Sequence, residues 1–226
     1  MSDDNSEDCM RKKAIFIGNS IVAGYPWSKG KSFTGVLRRA LKGDDSDGIA
    51  QPDFAKSCGF EIINKGINGD TTTGIKSRFH QDVLAGSPDH VYFLTGTNDF
   101  IYREQTPAEA FANLEEMADQ ARAEGITPVY ITPIRVDAGK AECMWMAGFG
   151  ISYPAVNRDV DQLSQLMRDS GRLYVDLNRA FAGYAAGFED IDLVYLDGVH
   201  PMPDGHVFIA GEIIRFMAEN KTLLGL

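Results

Sequence analysis

No apolar run in this 226-residue chain approaches the ~18 residues that cross a bilayer as a helix, which argues against membrane insertion. Basic residues are outnumbered by acidic ones, 22 against 32, leaving a net charge of −10. A surface that binds phosphates needs the opposite balance, so nucleic acid is set aside as a partner. The same charge weakens any electrostatic attraction to anionic lipid. After Arg11, Lys12 and Lys13, the apolar stretch from Ala14 to Ile17 is too short for the hydrophobic region of a signal peptide. Cysteine is sparse as well. Cys9, Cys58 and Cys143 are odd in number and lack C-x-x-C spacing, which reads as unpaired thiols in a reducing, cytoplasmic setting. Neither G-x-G-x-x-G nor the Gly-Lys-Ser of a P-loop follows the first strand, and no histidines stand at zinc-ligand spacing. The expectation is a protein with no cofactor and no metal.

What is present is a chain of ordinary globular composition, 44% hydrophobic and 24% charged. Residues 1–12 read as a disordered acidic tail, with four acids and no base in the first ten positions, and 13–226 read as one domain. Within that domain short β-rich runs alternate with segments of helical period. The runs are Ala14–Ile17, Phe60–Ile63, Val91–Leu94, Val129–Ile131 and Leu173–Leu177. Between the first two lies a helix capped by Ser32, with Phe33, Val36, Leu37, Ala40 and Leu41 on one face, then an acidic loop from Asp44 to Ser57. Ile75, Phe79 and Val83 mark the next helix. Thr106-Pro107-Ala108-Glu109 reads as a capping box with proline in the first turn, opening a helix that Gly125 stops. Val156, Val160, Leu163 and Met167 form a further apolar face, and Val207, Ala210, Ile213, Ile214 and Met217 the last. Such alternation predicts an α/β fold: a three-layer αβα sandwich around a five-stranded, mostly parallel sheet. Ligands then bind beyond the carboxyl ends of the strands.

Four segments at those ends carry candidate chemistry. Gly18-Asn19-Ser20-Ile21 places a serine in a glycine-permitted turn, either as a nucleophile or as an ordinary cap. Asn64 to Thr71 contains Gly66 and Gly69, which allow backbone N–H groups to approach a ligand or simply make a turn. In Gly96-Thr97-Asn98-Asp99 the Asn98 amide is an uncharged donor suited to a transient oxyanion, or a turn residue. In Asp197-Gly198-Val199-His200 an aspartate three residues before a histidine can hold Nδ1–H and leave Nε2 free as a base. The alternative is a solvated Asp-Gly turn. His206, at the opening of a helix, is expected to pack or face water.

Together, in this order, the four segments resemble the blocks of the SGNH (GDSL-like) hydrolase family, over roughly Lys13 to Ala218. The resemblance implies a flavodoxin-like fold and metal-free hydrolysis of a small-molecule carboxylic ester. Ser20 would be the nucleophile, His200 the base and Asp197 its orienting acid; Ser20, Gly69 and Asn98 would form the oxyanion hole. One position departs from the family, which usually has Asp before the nucleophile where this chain has Asn19. Asn keeps a carbonyl acceptor but loses the charge. A carbohydrate O-deacetylase or lysophospholipase lies within the same reading, and a catalytically weak binding module on the same fold stands outside it.

For the substrate, Tyr25, Trp27, Phe100, Tyr102, Trp145 and Phe149 follow the same strand ends and are candidates to line a cleft. The segment Asp137–Ser152, with Met144, Trp145, Met146 and Phe149, reads as a lid, a cover for the core or a subunit contact. Whether the chain forms homo-oligomers is left open.

Overall fold

The computed structural model describes residues 11–57, 59–145 and 150–226. Five strands, β1 (Lys12–Gly18), β2 (Phe60–Gly66), β3 (His90–Leu94), β4 (Thr127–Ile131) and β5 (Leu173–Val175), form a sheet in the order β2-β1-β3-β4-β5. Every pairing is parallel. This is the flavodoxin-like order, with its switch of direction between β1 and β3. Successive side chains of a strand point to opposite faces. Accordingly Ala14 and Phe16 enter one core with Tyr92, Leu94, Val129 and Ile131, while Ile15 and Ile17 enter the other with Val91, Phe93 and Tyr130. Both faces are dry, so these strands read as continuous apolar runs.

Helices α1 (Ser20–Ala23), α2 (Phe33–Ala40), α3 (Asp53–Ser57), α9 (Leu177–Ala185) and α10 (Pro203–Glu219) contribute to the first core. On the second lie α4 (Thr72–Asp82), α5 (Thr97–Ile101), α6 (Pro107–Ala123) and α8 (Tyr153–Asp169). The Ser32 side chain caps α2 by accepting from Gly35 N–H, and Thr106 with Glu109 forms the expected capping box of α6. Four short helices depart from the sequence reading. The acidic loop contains α3, the Asn98 segment itself winds into α5, and α7 (Ala138–Met144) lies within Asp137–Ser152. The fifth strand ends at Val175 rather than Leu177, because Asp176 turns the chain into α9 and is held there by Arg168. α3, α5 and α7 are too short to display a helical period, and caps and neighbours set them, whereas the start of α9 is hidden because Leu177 prolongs the apolar run of β5.

At the ends of β1 and β2 the packing leaves no room for a side chain. A Cβ on Gly18 would lie 2.0 Å from the Leu94 carbonyl oxygen, and one on Gly66 2.1 Å from Ala23 N. Three chain segments therefore converge there at backbone distance.

His206, as expected of a helix-opening residue, packs: it is fully buried in α10, stacks on Phe33 and accepts the Phe33 N–H through Nδ1 at 3.3 Å. Burial pushes its pKa down to about 4, with His200 adding to the shift. A neutral native histidine that protonates on unfolding stabilises the fold fully above its unfolded pKa of ~6.5, and that contribution is lost as pH falls towards 4. The expected cost is on the order of 3 kcal/mol across that window, from 1.36 kcal/mol per pKa unit. Urea denaturation should show this slope in the wild type and a shallower one in His206→Gln; equal slopes would refute it. Gly18→Ala should lose about 1–3 kcal/mol by overpacking, read as a lower thermal midpoint.

Candidate active site

Ser20 follows β1 at the first position of α1. Asn19 caps that helix, its Oδ1 accepting the Ile21 N–H at 3.0 Å. The cap turns the chain away from the sheet and sets the serine at the rim. Asp197 and His200 come from the hairpin before α10, pinned by a bridge between Tyr195 and Pro201 and by Leu196 N–H donating to the His200 carbonyl at 2.8 Å. Gly198 takes φ +86 in this turn, and a Cβ there would lie 2.4 Å from Ala141 N, so α7 seats directly upon it. The Asp137 N–H donates to the Gly198 carbonyl at 2.8 Å and completes that seat.

Residues 180 positions apart thus meet: His200 Nε2 lies 2.9 Å from Ser20 Oγ. The other ring nitrogen, Nδ1, is 2.7 Å from Asp197 Oδ2. Asp197 Oδ1 accepts the N–H groups of Val199 and His200 at 3.0 and 2.8 Å. Burial pushes the Asp197 carboxyl up, but the His200 ring and these amides outweigh it, holding the pKa below the usual carboxylate value. The acid is thereby kept ionised beside the imidazole. Tyr25 packs on the His200 ring with centroids 4.8 Å apart, and Trp145 stands 6.3 Å away.

Across the cavity, Gly69 adopts φ +77 after β2, and Asn98 sits in α5 after β3. The Asn98 Nδ2 donates to the Asp70 carbonyl at 2.9 Å. A primary amide carries two N–H bonds, so one orients the group and the second is available to a ligand. Behind it Asp99 is fully buried and accepts the Thr72 N–H with both oxygens at 3.1 Å, along with the Thr72 hydroxyl. Burial raises the Asp99 pKa to about 6 against the opposing pull of those bonds. This link joins α5 to the start of α4, hence the Asn98 segment to the Gly69 segment.

The cavity in front of these groups has a volume of about 620 Å³. Ser20, Gly69, Asn98 and His200 line it, as do Tyr25, Tyr102 and Trp145. Two of the aromatic candidates do not. Phe100 is buried in the second core on the inner face of α5, and Trp27 turns away to donate from Nε1 to the Pro201 carbonyl at 2.9 Å. Phe149 and Met146 lie outside the described residues. Missed from sequence were Asn68, Ile101, Ile151, Tyr153 and Val199 as lining residues. Asn68 and Val199 adjoin residues already singled out and were findable by extension. Ile101 and Tyr153, part-buried and buried, sit at helix ends, where a single apolar residue carries no distinguishing pattern. Among the described residues no group of three or more His, Cys, Asp or Glu is placed to hold a metal ion, and no helix is long and apolar enough to cross a membrane.

Known proteins similar to this chain point to one family. A profile described as the GDSL-like Lipase/Acylhydrolase family matches residues 16–208. An acetylxylan esterase from Geobacillus stearothermophilus is 26% identical over 220 residues, covering 90% of this chain and 93% of its own. The esterase TesA of Pseudomonas aeruginosa is 28% identical over 111 residues, 49% of each chain. A lipase/acylhydrolase from Enterococcus faecalis shares the fold at a TM-score of 0.70 and 23% identity, over 92% of this chain and 96% of that one. By its matched profile and its esterase relatives, this chain is an ester hydrolase and belongs to the GDSL-like lipase/acylhydrolase family.

Proposed function

We propose that the protein hydrolyses carboxylic esters of small to medium acyl groups through an acyl-enzyme formed on Ser20. The observation that carries this reading is the unbroken chain from Ser20 Oγ through the His200 ring to the Asp197 carboxylate. In the acylation step Ser20 Oγ forms a bond to the acyl carbon while its proton passes to His200 Nε2. The carbonyl π pair moves onto oxygen. The Ser20 and Gly69 N–H groups and the free Asn98 amide hydrogen are the donors for that oxyanion. Collapse expels the alcohol, which takes the proton from Nε2. Water then repeats the sequence on the acyl-enzyme, losing its proton to His200 and releasing the acid and free Ser20. Asp197, ionised and bonded to Nδ1, keeps Nε2 as the basic nitrogen and stabilises the imidazolium.

Asn19 supports activity in this reading because its carbonyl performs the capping task for which no charge is needed. Asn and Asp are about equally good caps. A cavity of this size with aromatic walls suits an acyl chain of modest length. A second reading within the same chemistry is removal of acetyl groups from a carbohydrate. Supporting it are the relative that spans nearly all of this chain and the part-exposed rings of Tyr25, Tyr102 and Trp145 at the mouth, flat apolar surfaces of the kind that cover a sugar face.

With p-nitrophenyl acetate and butyrate, Ser20→Ala should lose all enzyme-dependent turnover; activity equal to the wild type would reject the mechanism. Asn98→Ala should lower kcat ~10²–10³-fold with little change in KM, because its bond to the oxygen matures in the transition state. Asn19→Asp should change kcat by less than about tenfold, since either side chain caps α1. A much larger gain would favour the weak binding module instead. Release of acetate from acetylated xylooligosaccharides, compared with p-nitrophenyl butyrate, separates the two substrate readings.

A further inference from the structure

Arg78 lies on α4, outside the cavity, and is absent from every motif in the chain's strand-end segments. Its guanidinium nevertheless touches two of them. Nε and Nη2 reach Asp70 Oδ2 at 2.8 and 2.7 Å, and Nη2 also donates to the Gly18 carbonyl at 3.3 Å. The remaining arm, Nη1, reaches Asp82 Oδ2 at 2.6 Å, whose other oxygen is held by Lys65 at 3.0 Å. The Arg78 and Asp70 side chains are only 14% and 10% exposed, so the pair is largely out of water, where such bonds are strong and directional.

The two contacts are well placed. Gly18 is the last residue of β1 and leads directly to Asn19 and Ser20. Asp70 follows Gly69, and its carbonyl accepts the Asn98 amide. The loop between them is tied to the same point, because Ile67 N–H also donates to the Gly18 carbonyl and Asp70 N–H donates to the Ile67 carbonyl. Space has been kept for this carboxylate: a Cβ on Gly74 would lie 1.9 Å from Asp70 Oδ1. The fork of Arg78 is thus the side chain that binds the end of the nucleophile strand and the Gly69-Asp70 turn at once.

Resting on the acyl-enzyme reading above, we propose that Arg78 is a positioning residue for the oxyanion donors. By clamping the Asp70 carboxylate against the Gly18 carbonyl, it sets the height of the Gly69-Asp70 turn and, through the Asp70 carbonyl, the plane of the Asn98 amide relative to Ser20. It touches no substrate. Its effect on rate comes from geometry, and misplacement of donors by about 1 Å can cost up to ~10²-fold.

The test uses p-nitrophenyl acetate kinetics with thermal midpoints measured in parallel. Arg78→Met should lower kcat about tenfold or more with KM within about twofold, the pattern of an interaction lost in the transition state. Arg78→Lys keeps the charge but has no planar fork, and should fall nearly as far. Asp82→Asn loosens only the outer arm and should keep kcat within about twofold, which holds the assay to the inner contacts. The double variant Arg78→Met/Asn98→Ala should fall well short of the product of the two single losses, because both act on one oxyanion. Full kcat in Arg78→Met or Arg78→Lys, or strictly multiplicative losses in the double variant, would overturn the proposal. So would a fall in kcat matched by Asp82→Asn, which would mark general loosening of α4. Failure of the underlying reading shows separately, as turnover that survives Ser20→Ala.

Discussion

Everything at the rim of the candidate site depends on three backbones meeting at the ends of β1, β2 and β3 with no side chain between them. The Gly18 Cα faces the Leu94 carbonyl and the Gly66 Cα faces the amide of Ala23, each so closely that a methyl group would overlap the neighbour. That contact fixes the distance between the segments bearing Ser20, Gly69 and Asn98 before any of their side chains interact. It also places them at the switch between β1 and β3, where consecutive connections leave on opposite faces of the sheet and open a crevice. Sheet topology decides the location of the site; glycine decides its tightness.

Around that frame the polar groups are ordered by pairs of hydrogen bonds, each of which fixes an orientation. Asp197 accepts three hydrogen bonds, one from the His200 ring and two from amides of its own turn. The imidazole is consequently held from one side in a single tautomer and aimed at Ser20 from the other. Asn98 spends one amide hydrogen on the Asp70 carbonyl, which orients the second. Asp99 and Arg78 extend the same logic outward, joining α5 to α4 and α4 to β1. A buried carboxylate and a largely buried guanidinium are costly to desolvate unless they are fully paired, and here the pairing lies along the lines that separate the Ser20, Gly69 and Asn98 segments. The cost of burial is set against precision of placement.

The cavity walls are built from different material. The walls are Tyr25, Tyr102, Trp145, Tyr153 and aliphatic residues, drawn from the end of α1, the end of α5, the segment after α7 and the start of α8. Of these, α1, α5 and α8 also bury residues in the two cores. Ser20, Gly69 and Asn98 follow strand ends braced by the core, and the cavity walls come from the helices and loops that continue from the strand ends.

The sequence by itself determined the layers, the strands and the identities of Ser20, Gly69, Asn98, Asp197 and His200 as the groups to examine. It could do so because each of those signals is local: an apolar run of period one, a helical stripe of period 3.6, a glycine beside a serine, an aspartate three residues before a histidine. The short helices α3, α5 and α7 were not legible, since one or two turns are too few to show a period and their formation depends on caps and neighbours, and the start of α9 was hidden because Leu177 prolongs the apolar run of β5. Trp27 and Phe100 show the same limit at the level of a side chain. Their place in the chain put them near the rim, but a hydrogen bond to the Pro201 carbonyl turned one aside and the second core absorbed the other. Only the tertiary structure decided that Ser20 Oγ and His200 Nε2 stand at hydrogen-bond distance, and that Arg78 joins the end of β1 to the Gly69-Asp70 turn. Those contacts run between residues far apart in the chain, and no local pattern encodes the distance between two strand ends.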